Sequence, residues 1–224
     1  MRIVVTGAAG FIGSHLCERL LADSNHEVTG IDAMLSPEMA RRNLRSLKNH
    51  PRFRLVAGDL LTLPLHQVLE GAEIIYHLAG MPGVRTSWSA DFKRYIANNI
   101  EATQHLLEVC ASLPIRRFIY ASTSSIYGEK AGSVREDAQP EPLSPYGVSK
   151  LTGEYLCRVY EHNRQLPVII LRFFTVYGPR QRPDMAFHRF IRSMIEDRPI
   201  TIYGDGLQTR DFTYIGDGVE AIAA

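Results

Sequence analysis

Cysteine is scarce in this chain. Cys17, Cys110 and Cys157 stand far apart and odd in number, with no CxxC pair and no zinc-ligand spacing. That argues against a disulfide framework or a zinc module, so no metal is expected, and it favours reduced thiols in a cytoplasmic protein. Net charge is nearly absent too: 25 Lys and Arg against 24 Asp and Glu leave +1. No global field then recruits nucleic acid or an anionic membrane, and neither is an expected partner. No apolar run approaches the roughly 18 residues of a membrane-spanning helix. The apolar start of MRIVVTGAAG is too short for a signal peptide and flows directly into a motif. Low complexity and obvious repeats are missing as well. What remains is a globular composition, 45% hydrophobic and 22% charged, in 224 residues that can bury a sizeable core.

Short apolar runs alternate with longer amphipathic ones. Residues 2–6, 27–31, 53–57, 73–78, 117–121 and 168–173 read as buried strands. Between them, Ile12, Leu16 and Leu20 set a helical period in 11–22. Phe92, Ile96, Ile100, Thr103, Leu107 and Cys110 do so in 91–112, and Val148, Leu151, Tyr155 and Val159 in 144–164. Strands separated by helices imply βαβ units, hence an α/β, doubly wound parallel sheet whose ligands bind at the carboxyl ends of the strands. After about Val176 the texture changes. GPRQRPD is a proline- and arginine-rich loop, a helix is expected over 187–195, and short strands over 200–203 and 211–215. The reading is therefore a dinucleotide-binding domain over 1–175 and the start of a smaller substrate lobe over 176–224. The chain stops at GVEAIAA, inside the first turns of an expected helix, so a truncated second lobe is expected.

Gly7-Ala-Ala-Gly10-Phe11-Ile12-Gly13 follows the first strand and opens the first helix. Gly7 permits the tight turn, Gly10 lets backbone approach a pyrophosphate, and Gly13 lets helix and strand pack closely. Asp32 ends the second strand, where a carboxylate accepts the hydroxyls of an adenosine ribose and repels a 2′-phosphate; NAD is favoured over NADP. Asp59-Leu60 and His77-Leu78-Ala79-Gly80 occupy the next two strand ends and would line the same cofactor. Taken alone, an Asp after a strand is a helix cap and a lone His is a packed, hydrogen-bonded one.

At the end of the fifth strand stand four hydroxyls in a row, Ser122-Thr123-Ser124-Ser125. Core packing explains them poorly. Further on, LSPYGVSK puts Tyr146 and Lys150 one turn apart on a helix that Ser144-Pro145 would start. By itself such a pair is ordinary helix surface. Beyond a dinucleotide fingerprint, it joins the hydroxyls as a phenol and an ammonium.

In TGAAGFIGSHL, HLAG, ASTSSIYG, SPYGVSKLTGE, LRFFTVYGPRQRPD and GDGLQTRDFTYIGD, the chain resembles the extended short-chain dehydrogenase/reductase family of nucleotide-sugar epimerases and dehydratases. The motifs lie in the family's order and cover nearly the whole chain. The resemblance implies a Rossmann fold, NAD as cofactor, and Thr123, Tyr146 and Lys150 as the catalytic hydroxyl, base and ribose-holding lysine. It implies cofactor contacts at Gly7, Gly10, Phe11, Ile12, Gly13, Asp32, Asp59, Leu60, Leu78, Ala79, Gly80 and Asn99, besides Tyr146 and Lys150. Arg210, in TRDF, matches an arginine on the nucleotide diphosphate, a task suited to a bidentate guanidinium. Chemically, a free phenol with pKa of about 10 is a poor base near neutrality. A nearby ammonium and a nicotinamide cation would both favour phenolate.

Within the family three reactions begin with oxidation at the sugar's C4. Dehydratases follow the threonine with Asp-Glu, whereas Thr123 is followed here by Ser124 and Ser125, which disfavours dehydration. Decarboxylases commonly read TSE at this spot; Ser125 in place of Glu weakens that reading without removing it. The loop Met81-Pro-Gly-Val-Arg85 and the RFFTVYGPRQRPDMAFHRF stretch are similar to those of UDP-glucuronate 4-epimerases. A uronate carboxylate would then meet Ser124, Ser125, Thr175 and either Arg85 or Arg182, unless those arginines are solvated loop charges. UDP-glucose 4-epimerisation stays open, as does a non-catalytic dinucleotide-binding regulator, although a sensor needs no base. The resemblance further implies a homodimer built on the helices at 91–112 and 144–164, which could instead pack on their own sheet.

Overall fold

The computed structural model describes residues 1–130, 132–202, 204–207 and 209–224. Strand β1 (Arg2–Thr6) leads through helix α1 (Phe11–Leu21) to β2 (Glu27–Asp32). Then come α2 (Pro37–Asn43), β3 (Phe53–Ala57), the short α3 (Leu65–Val68) and β4 (Ile74–His77). All six principal strands pair in parallel in the order β3-β2-β1-β4-β5-β6, where β5 is Arg117–Thr123 and β6 is Val168–Phe173. This is the doubly wound fold, with its switch of strand order between β1 and β4. Alternation along β1 shows why both faces are covered. Ile3 and Val5 enter a core with Leu16, Cys17 and Leu20 of α1, while Val4 enters a second core on the other face. That second core holds Phe118, Tyr120, Leu106, Leu107 and Cys157.

The expected helix over 91–112 is interrupted. It consists of α4 (Phe92–Tyr95), a π-helical turn over Ile96–Glu101 and α5 (Ala102–Cys110). The wider turn shifts the inward face: Tyr95 and Asn99 are buried, whereas Ile96 is exposed. Helix α6 (Pro145–Arg164) begins as expected, Ser144 Oγ accepting from the Gly147 N–H at 3.0 Å. Its periodic apolar residues point outward, with Val148, Tyr155 and Val159 about half exposed. The face that packs on the sheet is mostly small and polar, Gly147, Ser149, Lys150, Gly153, Glu154 and Cys157, with Tyr160 near its end.

After β6, β7 (Thr175–Tyr177) pairs in parallel with β8 (Phe212–Tyr214), and α7 (Ala186–Ile195) lies between them in sequence. The expected strand over 200–203 is not formed at 200–202, where Ile200 and Ile202 are exposed. Tyr203 lies outside the described residues. The strand expected over 211–215 is shorter, because Ile215 turns inward to begin α8 (Ile215–Ala223). Ile215, Val219 and Ile222 of α8 join the core of α1, and Arg19 pairs with Glu220. Among the described residues, no helix is long and apolar enough to cross a membrane.

Candidate active site

The carboxyl ends of β1, β2, β4, β5 and β6 open into one cavity of about 630 Å³. Its first wall is the glycine turn. Gly7 adopts φ +70°, where a Cβ would press on the Ala79 backbone. A Cβ on Gly13 would collide with the Gly7 carbonyl, so α1 can start this close to β1 only with glycine there. Helix α1 has no side-chain N-cap, which leaves its first N–H groups for a bound anion.

Asp32 stands beside this turn. Its Oδ2 accepts from the Ala9 N–H at 3.0 Å and its Oδ1 from the Met34 N–H at 2.8 Å. Asp59 Oδ1 accepts from the Leu61 N–H at 2.9 Å, so it caps its own turn while facing the cavity. His77 is fully buried between two threonines, Nδ1 on Thr6 Oγ1 at 2.8 Å and Nε2 on Thr103 Oγ1 at 2.9 Å. Thr103 Oγ1 donates to the Asn99 carbonyl, so it must accept from Nε2–H, and Thr6 Oγ1 donates to Nδ1. Burial, then the Lys150 charge, pushes this imidazole down to about 3. His77 is thus a neutral, packed histidine that orients Thr6, which accepts the Ala79 N–H at 3.1 Å.

Across the sheet, β5 ends at Thr123, whose Oγ1 accepts from the Ser125 N–H at 3.2 Å. Tyr146 and Lys150 arrive from the first turns of α6. The Lys150 ammonium is buried over the Tyr120 ring, 4.2 Å from its centroid. Burial lowers it to about 8, against the pull of Cys157 and Glu154. The expected lowering of the phenol is not what the protein alone provides. Burial raises Tyr146 from its ordinary value, opposed by a hydrogen bond with Thr123 and by the Arg182 charge.

The structure brings together Gly7, Gly10, Phe11, Ile12, Gly13, Asp32, Asp59, Leu60, Leu78, Ala79 and Gly80 with Thr123, Ser124, Ser125, Tyr146, Lys150, Thr175 and Arg182 as walls of this cavity. Three expected residues lie elsewhere. The Asn99 side chain is buried behind the wall, accepting from the Met81 N–H at 2.6 Å and donating to Met81 O and Ser149 Oγ. Arg85 sits on an exposed turn, and the exposed Arg210 donates to the Thr209 carbonyl at 2.7 Å. Met34, Met39, Phe174, Gln181 and Met185 also line the cavity. Phe174, Gln181 and Met185 carried a sequence signal, inside RFFTVYGPRQRPDM, whereas Met34 and Met39 did not. The carboxylates among the described lining residues are Asp32 and Asp59, both on the β2–β3 side.

Such a cavity, with a glycine turn and the Asp32 carboxylate at one end and a Thr–Tyr–Lys cluster at the other, defines a dinucleotide-dependent enzyme. Residues 3–224 match the model of the NAD dependent epimerase/dehydratase family, and the chain belongs to that family. It is 56% identical over 227 residues to the Bacillus subtilis protein described as uncharacterized UDP-glucose epimerase YtcB, covering 100% of this chain and 72% of that one. A probable UDP-glucuronate 4-epimerase of Rhizobium meliloti is 39% identical over 230 residues, 99% of this chain and 67% of its own. Among solved structures, UDP-glucuronic acid 4-epimerase from Bacillus cereus, in complex with UDP-glucuronic acid and NAD, matches with TM-score 0.97 at 55% identity, over 100% of this chain and 72% of that one.

Proposed function

We propose that this NAD-dependent enzyme is a nucleotide-sugar 4-epimerase that converts UDP-glucuronate to UDP-galacturonate. The observation that carries the reading is the chemistry of the cavity wall. Hydroxyls and a guanidinium gather around Thr123 and Tyr146, while both lining carboxylates sit at the far, dinucleotide end. A dehydratase needs an acid beside the sugar, and the described wall offers none there. The relatives' names for UDP-glucuronate 4-epimerases support the same substrate.

The residues fit the cofactor. The Gly7–Gly13 turn and α1 would receive the diphosphate, Asp32 the adenosine ribose, and Asp59, Leu60 and Leu78–Gly80 the segment between. Lys150 would hold the second ribose. The chemistry NAD supplies when bound is reversible hydride acceptance. Tyr146 takes the C4 hydroxyl proton from the sugar and later returns one, while Thr123 steadies the reacting oxygen. Ser124, Ser125, Thr175 and Arg182 hold the C5 carboxylate ionised and fixed, which resists its loss as CO₂ from the keto intermediate. Arg85 and Arg210 would join the substrate by movement of their exposed segments.

Residues 1–175 form the cofactor-binding domain in this reading, and 176–224 contribute to substrate binding, with α8 docked back on α1. The outward stripe Val148, Tyr155 and Val159 on α6, with the exposed Ile96, is read as the face of a homodimer. Three buried free thiols fit a cytoplasmic setting. A second reading, UDP-glucose 4-epimerase, is favoured by the name of the Bacillus subtilis relative. Incubation with UDP-glucuronate, UDP-glucose and dTDP-glucose separates them. UDP-glucuronate should give kcat/KM at least ~100-fold above the others, since a site built to pair a buried charge rejects analogues that lack it. Comparable turnover of UDP-glucose would remove the uronate assignment.

A further inference from the structure

Arg180 belongs to the GPRQRPD loop but does not line the substrate cavity. Its backbone is left-handed, φ +67°, uncommon for a residue with a side chain. That twist sends the guanidinium away from its neighbours Gln181 and Arg182, which do line the cavity. It reaches instead across to the dinucleotide half. Nη2 donates to both Glu18 carboxylate oxygens, at 2.9 and 2.7 Å. Nη1 donates to Ser14 Oγ at 3.1 Å and to the Asn43 carbonyl at 3.2 Å.

Ser14 and Asn43, both buried, brace the glycine turn. Ser14 Oγ donates to the Phe11 carbonyl at 3.2 Å, and Asn43 Nδ2 to the Ala9 carbonyl at 2.9 Å. Arg180 therefore grips both braces while the next two residues form the substrate wall. We infer that Arg180 is a positioning residue that couples the two ends of the site, so that seating of the dinucleotide in the Gly7–Gly13 turn and seating of the sugar nucleotide against Gln181 and Arg182 strengthen one another. Such coupling is reciprocal by linkage. A bidentate, charge-assisted grip on a rigid helix suits the purpose, since its geometry is fixed at both ends. The inference rests on the epimerase reading for the identity of the sugar nucleotide, not for the grip itself.

The test is NAD retention. Labelled NAD is exchanged out of the loaded protein, with and without UDP-glucuronate, in a Tyr146→Phe background that blocks turnover. The inference predicts that UDP-glucuronate slows exchange in that background. It predicts that adding Arg180→Met speeds NAD loss about tenfold, the effect of roughly one strong charge-assisted bond, and flattens the response to UDP-glucuronate. Glu18→Gln should do the same in part, and the Arg180→Met/Glu18→Gln pair should be no worse than Arg180→Met alone. Arg180→Lys keeps the charge but loses the fork, and should fall between. NAD loss within twofold of the background, a sugar response left intact, or independent effects that multiply in the pair would each overturn the inference. Unfolding of both Arg180 variants would overturn it as well, making Arg180 a general structural residue. If UDP-glucuronate binds in the Tyr146→Phe background, as titration calorimetry would show, yet leaves exchange unchanged, the coupling is overturned; if it does not bind, the substrate reading fails instead, and the sugar-free rates still decide whether Arg180 holds the turn.

Discussion

Tyr146 and Lys150 are held in opposite electrostatic predicaments. Burial raises the phenol and lowers the ammonium, so the protein alone keeps Tyr146 protonated and weakens the charge of its neighbour. The Arg182 charge and the Thr123 hydrogen bond work against the phenol's rise, and the positive ring of oxidised NAD would add to them when bound. Tyr146→Phe should lower kcat by about 10²–10⁴-fold, the usual size of a general-base effect, while NAD stays bound. Turnover within a few-fold of the parent would mark a binding protein instead of an enzyme. Lys150 makes a second prediction. Its folded pKa of about 8 lies below its ordinary 10.5, so between those values the unfolded chain binds more protons and stability rises with pH. Below pH 8 the folded state carries the full penalty, so Lys150→Met should stabilise the protein there by on the order of 2–3 kcal/mol. The gain should vanish towards pH 10.5, as followed by urea unfolding, whereas a pH-independent gain or a loss would refute it. The residues of this cluster were legible in the sequence because motif order placed them at strand ends. The direction of the phenol's shift was not, since it depends on burial, which no motif encodes.

At the scale of elements, the six parallel strands were readable from short apolar runs, and five of them are as long as expected or longer. The helix faces were not. Val148, Tyr155 and Val159 repeat with helical period, yet α6 buries its small and polar side, because Lys150 and Glu154 must reach the ends of the sheet. The π-helical turn over Ile96–Glu101 was invisible to periodicity, which assumes one uniform pitch. Its effect is to aim Asn99 at the Met81 backbone and at Ser149 together, and Ser149 Oγ donates to the Tyr146 carbonyl at 2.7 Å. Asn99→Leu would leave the half-buried Met81 amide and carbonyl without these partners. It should cost about 2–4 kcal/mol in chemical denaturation and lower kcat more than it raises KM, because it loosens the loop beside α6, which carries Tyr146 and Lys150. A change under about 0.5 kcal/mol would show that solvent replaces those bonds readily.

For the whole molecule, the glycine turn, the hydroxyl strand and the arginine loop come from distant stretches of chain and meet only because parallel strands share one carboxyl edge. The exposed stripe on α6 extends the account to assembly. Sedimentation should find a dimer at micromolar concentration, and Tyr155→Glu should shift it towards monomer; a parent that sediments as a monomer would contradict the proposed interface. With NAD bound to take up and return the hydride, this site would oxidise and re-reduce C4 of a uronate while keeping its carboxylate. UDP-glucuronate labelled with ¹³C at C6 tests it most directly, with products followed by NMR. The label should stay in the sugar and appear in UDP-galacturonate. Labelled CO₂ with an unlabelled UDP-pentose would contradict it.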